Sequence, residues 1–272
     1  MNPILTAKDL CKTYIVKEYS NNVLCNVNFT LEQGEFVSVM GPSGSGKSTL
    51  LYTVSGMDEM TSGEVLFDGR NLAGMSAKEL SKLRLLEMGF IFQQMYMLKK
   101  LCIMDNIVLP GYQAGKNRTE VNQRAEELMR RLGIIEIAEH EIHEVSGGQL
   151  QRACICRALI NQPKVIFADE PTGSLNSKAA GEVIQELLRV NQEGTSILMV
   201  THSAKVAAQS DRVIYLIDGN IQGELKLSDS RLSVSDSNKQ ENGEKKLTSG
   251  RSEEEIAKRE RTLNEWLIEQ GW

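Results

Sequence analysis

An α/β protein built on a parallel sheet, with helices on both faces, is the fold class this sequence predicts, and three observations predict it. Short, mainly apolar runs, "FVSVM" at 36–40, "KVIFAD" at 164–169 and "TSILMVT" at 195–201, have the continuous hydrophobicity of strands buried on both sides. Stretches of helical periodicity alternate with them. The first run also feeds directly into a glycine-rich turn that opens a helix, which is the strand–loop–helix order of such sheets.

In chain order, Ile4 to about Gly69 is strand-rich, with "SGEVLFDG" a strand between turn signals. From Ser76, "SAKELSKLRLLEM" reads as a helix, "GFIFQ" as a strand, and "RTEVNQRAEELMRRLGI" as an amphipathic helix. After "SGGQ" a helix runs to about Asn161, and another spans about Ser177 to Asn191. A strand pair around "DRVIYLIDGNIQ" closes the domain, expected to be residues 1–227. From 228 to 250 the composition turns to Ser, Asp, Asn, Lys and Glu without a core-forming pattern, which predicts a flexible linker. Residues 251–272 predict a terminal amphipathic helix, with Ser252 and Glu255 as a capping box and Ile256, Leu263, Trp266 and Leu267 on one face. That face can cover its own domain or dock on a partner chain.

Composition excludes several functions. Across 272 residues, 31 basic and 36 acidic side chains give a net charge of −5, without the basic excess that nucleic-acid binding requires. Five cysteines, without C-x-x-C spacing, read as reduced packing residues. The start "MNPILTAKDL" lacks the features of a signal peptide, and no window is apolar enough to span a bilayer, so a membrane role has to come through a partner. His140 and His143 in "EHEIHE" lack the H-E-x-x-H spacing of a metal site and read as surface residues.

Chemistry concentrates at a few places. "GPSGSGKST", comprising Gly41, Pro42, Ser43, Gly44, Ser45, Gly46, Lys47, Ser48 and Thr49, fits G-x-x-x-x-G-K-[ST] between a strand and a helix. Its glycines let backbone N–H groups turn inward around phosphates, Lys47 brings a cation to the β and γ phosphates, and the Ser48 hydroxyl is suited to Mg²⁺. "VIFADE" delivers two adjacent acids to a strand's C-terminal end: Asp169 is suited to hold Mg²⁺ through water, and Glu170 to orient or deprotonate the attacking water. "EVSGGQLQRA" prepares a second phosphate-ready turn, with Ser146, Gly147, Gly148 and Gln149 opening a helix.

These motifs in this order resemble the ATP-binding-cassette ATPases, whose signature L-S-G-G-Q stands here as "VSGGQ", with Val145 for the leucine. Gln93 in "GFIFQQ" resembles the Q-loop, with Gln94 a rival for the same role; "TGSLNS" resembles the D-loop, and His202 in "MVTHS" the switch histidine at the γ-phosphate. Tyr14 resembles the aromatic that stacks on adenine, with Tyr19 as its rival. Asn176 stands where the D-loop normally carries aspartate. The resemblance covers roughly Ile4 to Leu227 and implies a P-loop NTPase (RecA-like) core sheet, an antiparallel β subdomain and an inserted helical subdomain at about 95–155. It implies an ATPase using ATP and Mg²⁺, with Glu170, His202, Lys47 and Gln93 as catalytic residues and Ser48, Gln93 and Asp169 around the metal.

It further implies two copies arranged head to tail, so that "SGGQ" of each faces the phosphates held by Lys47 of the other. "TSGEVLFDG", "GFIFQQMYMLKKLCIMDNIVLP" and "IFADEPTGSLNSKAAGEVIQEL" are most similar to the bacterial group that drives macrolide export, lipoprotein release and resistance to bacitracin-like or lantibiotic peptides. Such ATPases are cytoplasmic and peripheral on the membrane through a separate permease; the alternative is a non-transport cassette ATPase with a regulatory or soluble partner.

Overall fold

The computed structural model describes residues 3–17, 19–227 and 252–272, and the expected linker at 228–250 lies outside the described residues. Two sheets organise the chain. Strands β1 (Pro3–Val16), β2 (Tyr19–Glu32), β4 (Ser62–Phe67) and β5 (Arg70–Asn71) form an antiparallel sheet in the order β2-β1-β4-β5. Strands β3 (Phe36–Met40), β6 (Met88–Ile91), β7 (Val165–Asp169), β8 (Ser196–Val200), β9 (Arg212–Ile217) and β10 (Asn220–Lys226) form the second, in the order β10-β9-β3-β8-β7-β6. Within it β9, β3, β8, β7 and β6 run parallel, and β10 returns antiparallel at one edge.

Every residue of β3, β7 and β8 is buried, as continuous apolar runs require when both faces are covered. Successive residues on these strands therefore enter different cores. Val37, Val39, Phe167, Leu198 and Val200 pack with Leu50, Leu51 and Val54 of α1 (Lys47–Val54) and with the antiparallel sheet. Phe36, Ile166, Ala168, Ile197 and Met199 pack on the other face, against the helices. By contrast β2 alternates from Val27 onward, burying Val27, Phe29 and Leu31 while its other face stays more open to solvent, and Leu24 is buried beyond a shift in register.

Helix α2 (Ala77–Glu87) starts at a Ser76–Glu79 capping box and leads into β6. The helical insertion comprises α3 (Ile103–Gln113), α4 (Arg118–Arg131) and α5 (Gly147–Leu159). Buried Val121, Ala125, Leu128 and Met129 on one side of α4 meet α3 and α5, which is the stripe read from its periodicity. Helix α6 (Ser177–Gln192) and the short α7 (Ala204–Ala207) complete the cover.

The terminal helix α8 (Glu253–Glu269) resolves the choice left by its sequence, because it packs on its own domain. Ser252 caps it by accepting from the Glu255 amide at 3.1 Å. Leu263 and Leu267 are buried with Val213, Tyr215 and Leu227, and Arg259 donates to the Ser210 carbonyl. Gly223 on β10 permits this contact: a Cβ there would lie 3.1 Å from both Trp266 and the Gln270 side chain.

Candidate active site

The turn Gly41–Thr49 joins β3 to α1, and its path depends on glycines where any side chain would collide. A Cβ on Gly41 would run into the Leu216 carbonyl, and one on Gly46, whose φ is +99°, would lie 2.7 Å from the Val23 carbonyl oxygen. Gly44, at φ +81°, instead faces open space. The turn is held by the Ser45 amide on the Pro42 carbonyl at 3.3 Å and by the Gly219 amide on the Ser45 carbonyl at 3.1 Å. Lys47 folds over it, donating to the carbonyls of Gly41 at 2.9 Å and Pro42 at 2.7 Å. Burial pushes the Lys47 ammonium below its ordinary pKa, against the opposing pull of Glu170 and Asp169.

Strand β7 brings its acids to the same place. Asp169, 5% exposed, accepts from the Ser48 hydroxyl at 2.9 Å on one oxygen and from the Tyr52 hydroxyl at 2.6 Å on the other. Burial, reinforced by the Asp169 carboxylate, pushes the Tyr52 phenol well above its usual pKa, so it remains a donor. Glu170 follows in a left-handed conformation, φ +46°, held by its amide on the Val200 carbonyl at 3.0 Å. Its Oε1 lies 2.9 Å from His202 Nδ1, whereas its buried Oε2 has no hydrogen-bond partner among the described residues. One carboxylate oxygen is thus tied to the histidine, and the other is available to accept from a water.

Gln93 lies in a turn closed by the Met95 amide on the Phe92 carbonyl at 3.1 Å, and its amide nitrogen is 3.7 Å from a Cβ built on Gly173. The same Cβ would be 3.6 Å from Glu170, so the turn and the acid share one neighbour. Tyr14 lies within reach of the Thr49 hydroxyl and donates to Asp58 at 2.5 Å. Lys12 sits 4.6 Å from the Tyr14 ring centre and pairs with Asp58 at 2.7 Å. Its rival Tyr19 is 83% exposed and lies across the hairpin end from Val16.

The second turn opens α5. Ser146 caps α5 in a reciprocal box with Gln149: the serine oxygen accepts from the Gln149 amide at 3.3 Å, and the Gln149 oxygen accepts from the Ser146 amide at 2.9 Å. The amides of Gly147 and Gly148 belong to the first helical turn and have no intrahelical acceptor. Val145 packs against the helical core as leucine would, and a Cβ on Gly148 would meet Ala179 at 3.2 Å. That neighbour belongs to α6, which Asn176 caps by accepting from the Ala179 amide at 3.0 Å. His140 and His143 are exposed, as expected.

A protein-family model described as ABC transporter matches residues 24–173. The chain belongs to this family. It is 39% identical over 225 residues to the lipoprotein-releasing system ATP-binding protein LolD of Aquifex aeolicus, covering 83% of this chain and 99% of that one. It is 40% identical over 227 residues to the macrolide export ATP-binding/permease protein MacB of Psychrobacter arcticus, covering 84% of this chain but only 34% of that longer protein. Among solved structures it resembles the ATP-binding cassette MJ0796, a dimer in a post-hydrolysis state bound to ADP and Pi. The TM-score is 0.78 at 38% identity, covering 82% of this chain and 98% of that one. The chain is therefore an ATP-binding, ATP-hydrolysing subunit of the ABC type.

Within this cassette, sequence reading overlooked Tyr52 and the Lys12–Asp58 pair that braces Tyr14. Tyr52 did carry a signal: it lies four residues beyond Ser48 on α1, so both hydroxyls project from one face toward Asp169. Lys12 and Asp58 carried none, because strand pairing and the loop after α1 bring together residues far apart in the chain.

Proposed function

We propose that this cassette, residues 1–227 with a helical subdomain at about 95–155 and an appended helix at 251–272, works as a head-to-tail pair driving a separate membrane permease. The observation that carries the reading is the convergence of Lys47, Ser48, Asp169, Glu170 and His202 at one end of the parallel sheet. The glycine cradle suits a triphosphate, since Gly44 is open while Gly41 and Gly46 tolerate no side chain. Hydroxyl, amide and carboxylate oxygens from Ser48, Gln93 and Asp169 suit a hard cation that keeps several waters, as Mg²⁺ does. Mg²⁺ there would offset charge on the β and γ phosphate oxygens.

On this reading Lys47 exchanges its own loop carbonyls for phosphate oxygens, and Tyr14 supports the adenine. Glu170 takes a proton from the attacking water on Oε2 while His202, held at its other oxygen, faces the γ-phosphate. The unengaged amides of Gly147 and Gly148 are offered outward, at a helix N-terminus suited to an anion. A second copy's nucleotide is the anion they suit, in keeping with the dimeric state of MJ0796.

A groove of about 360 Å³ lined by Met57, Arg84, Phe90, Phe92, Tyr96 and Arg157 is suited to a permease segment, because exposed Met57 and Tyr96 supply an apolar rim. No helix among the described residues is long and apolar enough to cross a membrane, so the spanning part has to be another chain or segment. Export of, or resistance to, antimicrobial peptides is the transport role favoured by the resemblance, with the cassette on the cytoplasmic face. Glu170→Gln tests the core of the reading. It should retain ATP and double in mass by light scattering with ATP and Mg²⁺; a variant that binds ATP yet stays monomeric, with or without its permease, overturns the pairing.

A further inference from the structure

Two consecutive non-glycine residues, Met95 and Tyr96, are held at φ +59° and +44°, in the left-handed region that side chains disfavour. They follow immediately on the turn that carries Gln93, and the Tyr96 amide closes on the Gln94 carbonyl at 2.6 Å. Such a conformation persists only where surrounding structure over-determines it. Most of the restraint comes from one side chain. Arg157 on α5 donates from Nη1 to the Tyr96 carbonyl at 2.7 Å and from Nη2 to the Met95 carbonyl at 2.7 Å, with Met97 Sδ at 3.4 Å from Nη1. Cys154, one turn earlier on the same helix, adds its thiol to the Met95 carbonyl at 3.5 Å.

We propose that Arg157 is a positioning residue for hydrolysis: its guanidinium pins the two strained carbonyls and so fixes the Gln93 turn to α5, the helix that Ser146 opens. The planar fork matters, because two donors set side by side can hold two adjacent carbonyls, whereas an ammonium is a single point. The clamp also lies at the rim of the groove, since Tyr96 and Arg157 line it together. The Tyr96 ring meets Phe92 edge to face at 5.2 Å, which ties the groove side of the turn to the strand end that leads into Gln93. A displacement of Tyr96 therefore acts on Gln93 and on the signature helix at once.

The inference rests on Gln93 lying in the hydrolytic site, so the test carries Gln93→Ala in parallel. Steady-state ATP hydrolysis by the full chain is compared for wild type, Arg157→Gln, Arg157→Lys, Met95→Gly and the double variant Arg157→Gln with Met95→Gly. With two charge-assisted hydrogen bonds removed, kcat should fall about tenfold in Arg157→Gln while KM for ATP stays within about twofold, because the cradle is untouched. Glycine enters the left-handed region without a steric cost, so Met95→Gly should restore the double variant to within about threefold of Met95→Gly alone. A general packing role for Arg157 would give no such rescue.

If Arg157→Gln fails to fold, Arg157→Lys carries the comparison with the same expectation at smaller amplitude. A KM that rises in step with the lost turnover, or a glycine that restores nothing, overturns the clamp. Turnover unchanged in Gln93→Ala overturns the placement of Gln93; turnover lost there but intact in Arg157→Gln overturns the clamp alone.

Discussion

Replacing Tyr52 by phenylalanine removes one oxygen atom and tests how Asp169, proposed above to face Mg²⁺, is held. The phenol donates to Asp169 at 2.6 Å, and Ser48 holds the other carboxylate oxygen at 2.9 Å, so the carboxylate is pinned at both ends. The ring can remain where it is, 6.3 Å from that of Phe92, and the substitution opens little more than a hydroxyl-sized gap. A hydrogen bond to a charged group contributes roughly 1.5–3 kcal/mol, and the half-buried position of Tyr52 lets water recover part of it, leaving about 1–2 kcal/mol. At 1.4 kcal/mol per decade, that is roughly five- to thirtyfold in the equilibrium it supports. The carboxylate is then free to turn, and the Mg²⁺ concentration for half-maximal ATP hydrolysis should rise about tenfold, while the melting temperature falls by about 2–8 °C. A Mg²⁺ titration of ATPase activity beside a thermal melt decides it. Unchanged half-saturation in a folded Tyr52→Phe protein would refute the idea that Tyr52 orients Asp169.

Asn176→Asp should leave ATP affinity nearly unchanged and alter turnover by no more than about threefold, since either residue caps α6 equally well through the Ala179 amide; a large loss of ATP binding, measured by fluorescent-nucleotide titration, would contradict this. Glu87 accepts from Arg70 at 2.8 and 2.7 Å and pairs with Lys164 at 2.9 Å, and Arg70 above all holds its carboxyl below the usual carboxylate range. Because that pKa is depressed, the stabilisation is present above the ordinary carboxylate pKa and lost as pH falls through the folded one. Glu87→Gln should therefore cost about 0.5–1 kcal/mol at pH 7, with the difference vanishing in denaturant melts in acid. Burial pushes the Cys154 thiol up to about 11 and the Cys156 thiol higher still. Iodoacetamide at mildly alkaline pH should spare both until denaturant is added, as mass spectrometry would show.

Much of this molecule was legible because its decisive signals are local. The strands β3, β7 and β8 announced themselves as apolar runs, since burial on both faces leaves no room for alternation. The cradle from Gly41 to Thr49 was readable for a similar reason, as Gly41 and Gly46 answer close approaches at that one turn and Gly44 its left-handed φ. Arg157 gave no such signal. It reads as an ordinary basic residue on an amphipathic helix, and only its meeting with Met95 and Tyr96 gives it a role.

The sequence by itself determined the parallel α/β core, the glycine-rich turn after β3, the acids Asp169 and Glu170 at the end of β7 and just beyond it, and the capped start of α5 at Ser146, because each follows from chemistry within a few consecutive residues. Tertiary structure alone decided which of two tyrosines meets the P-loop threonine, that Tyr52 holds Asp169, and that α8 covers its own domain. It also decided that Arg212, buried on β9, gathers Glu35 and the Thr30 carbonyl from far earlier in the chain together with Glu224 of the adjoining β10. Those outcomes depend on which segments the two sheets and the helical insertion bring within a hydrogen bond's reach, and no local pattern of residue types encodes such a meeting.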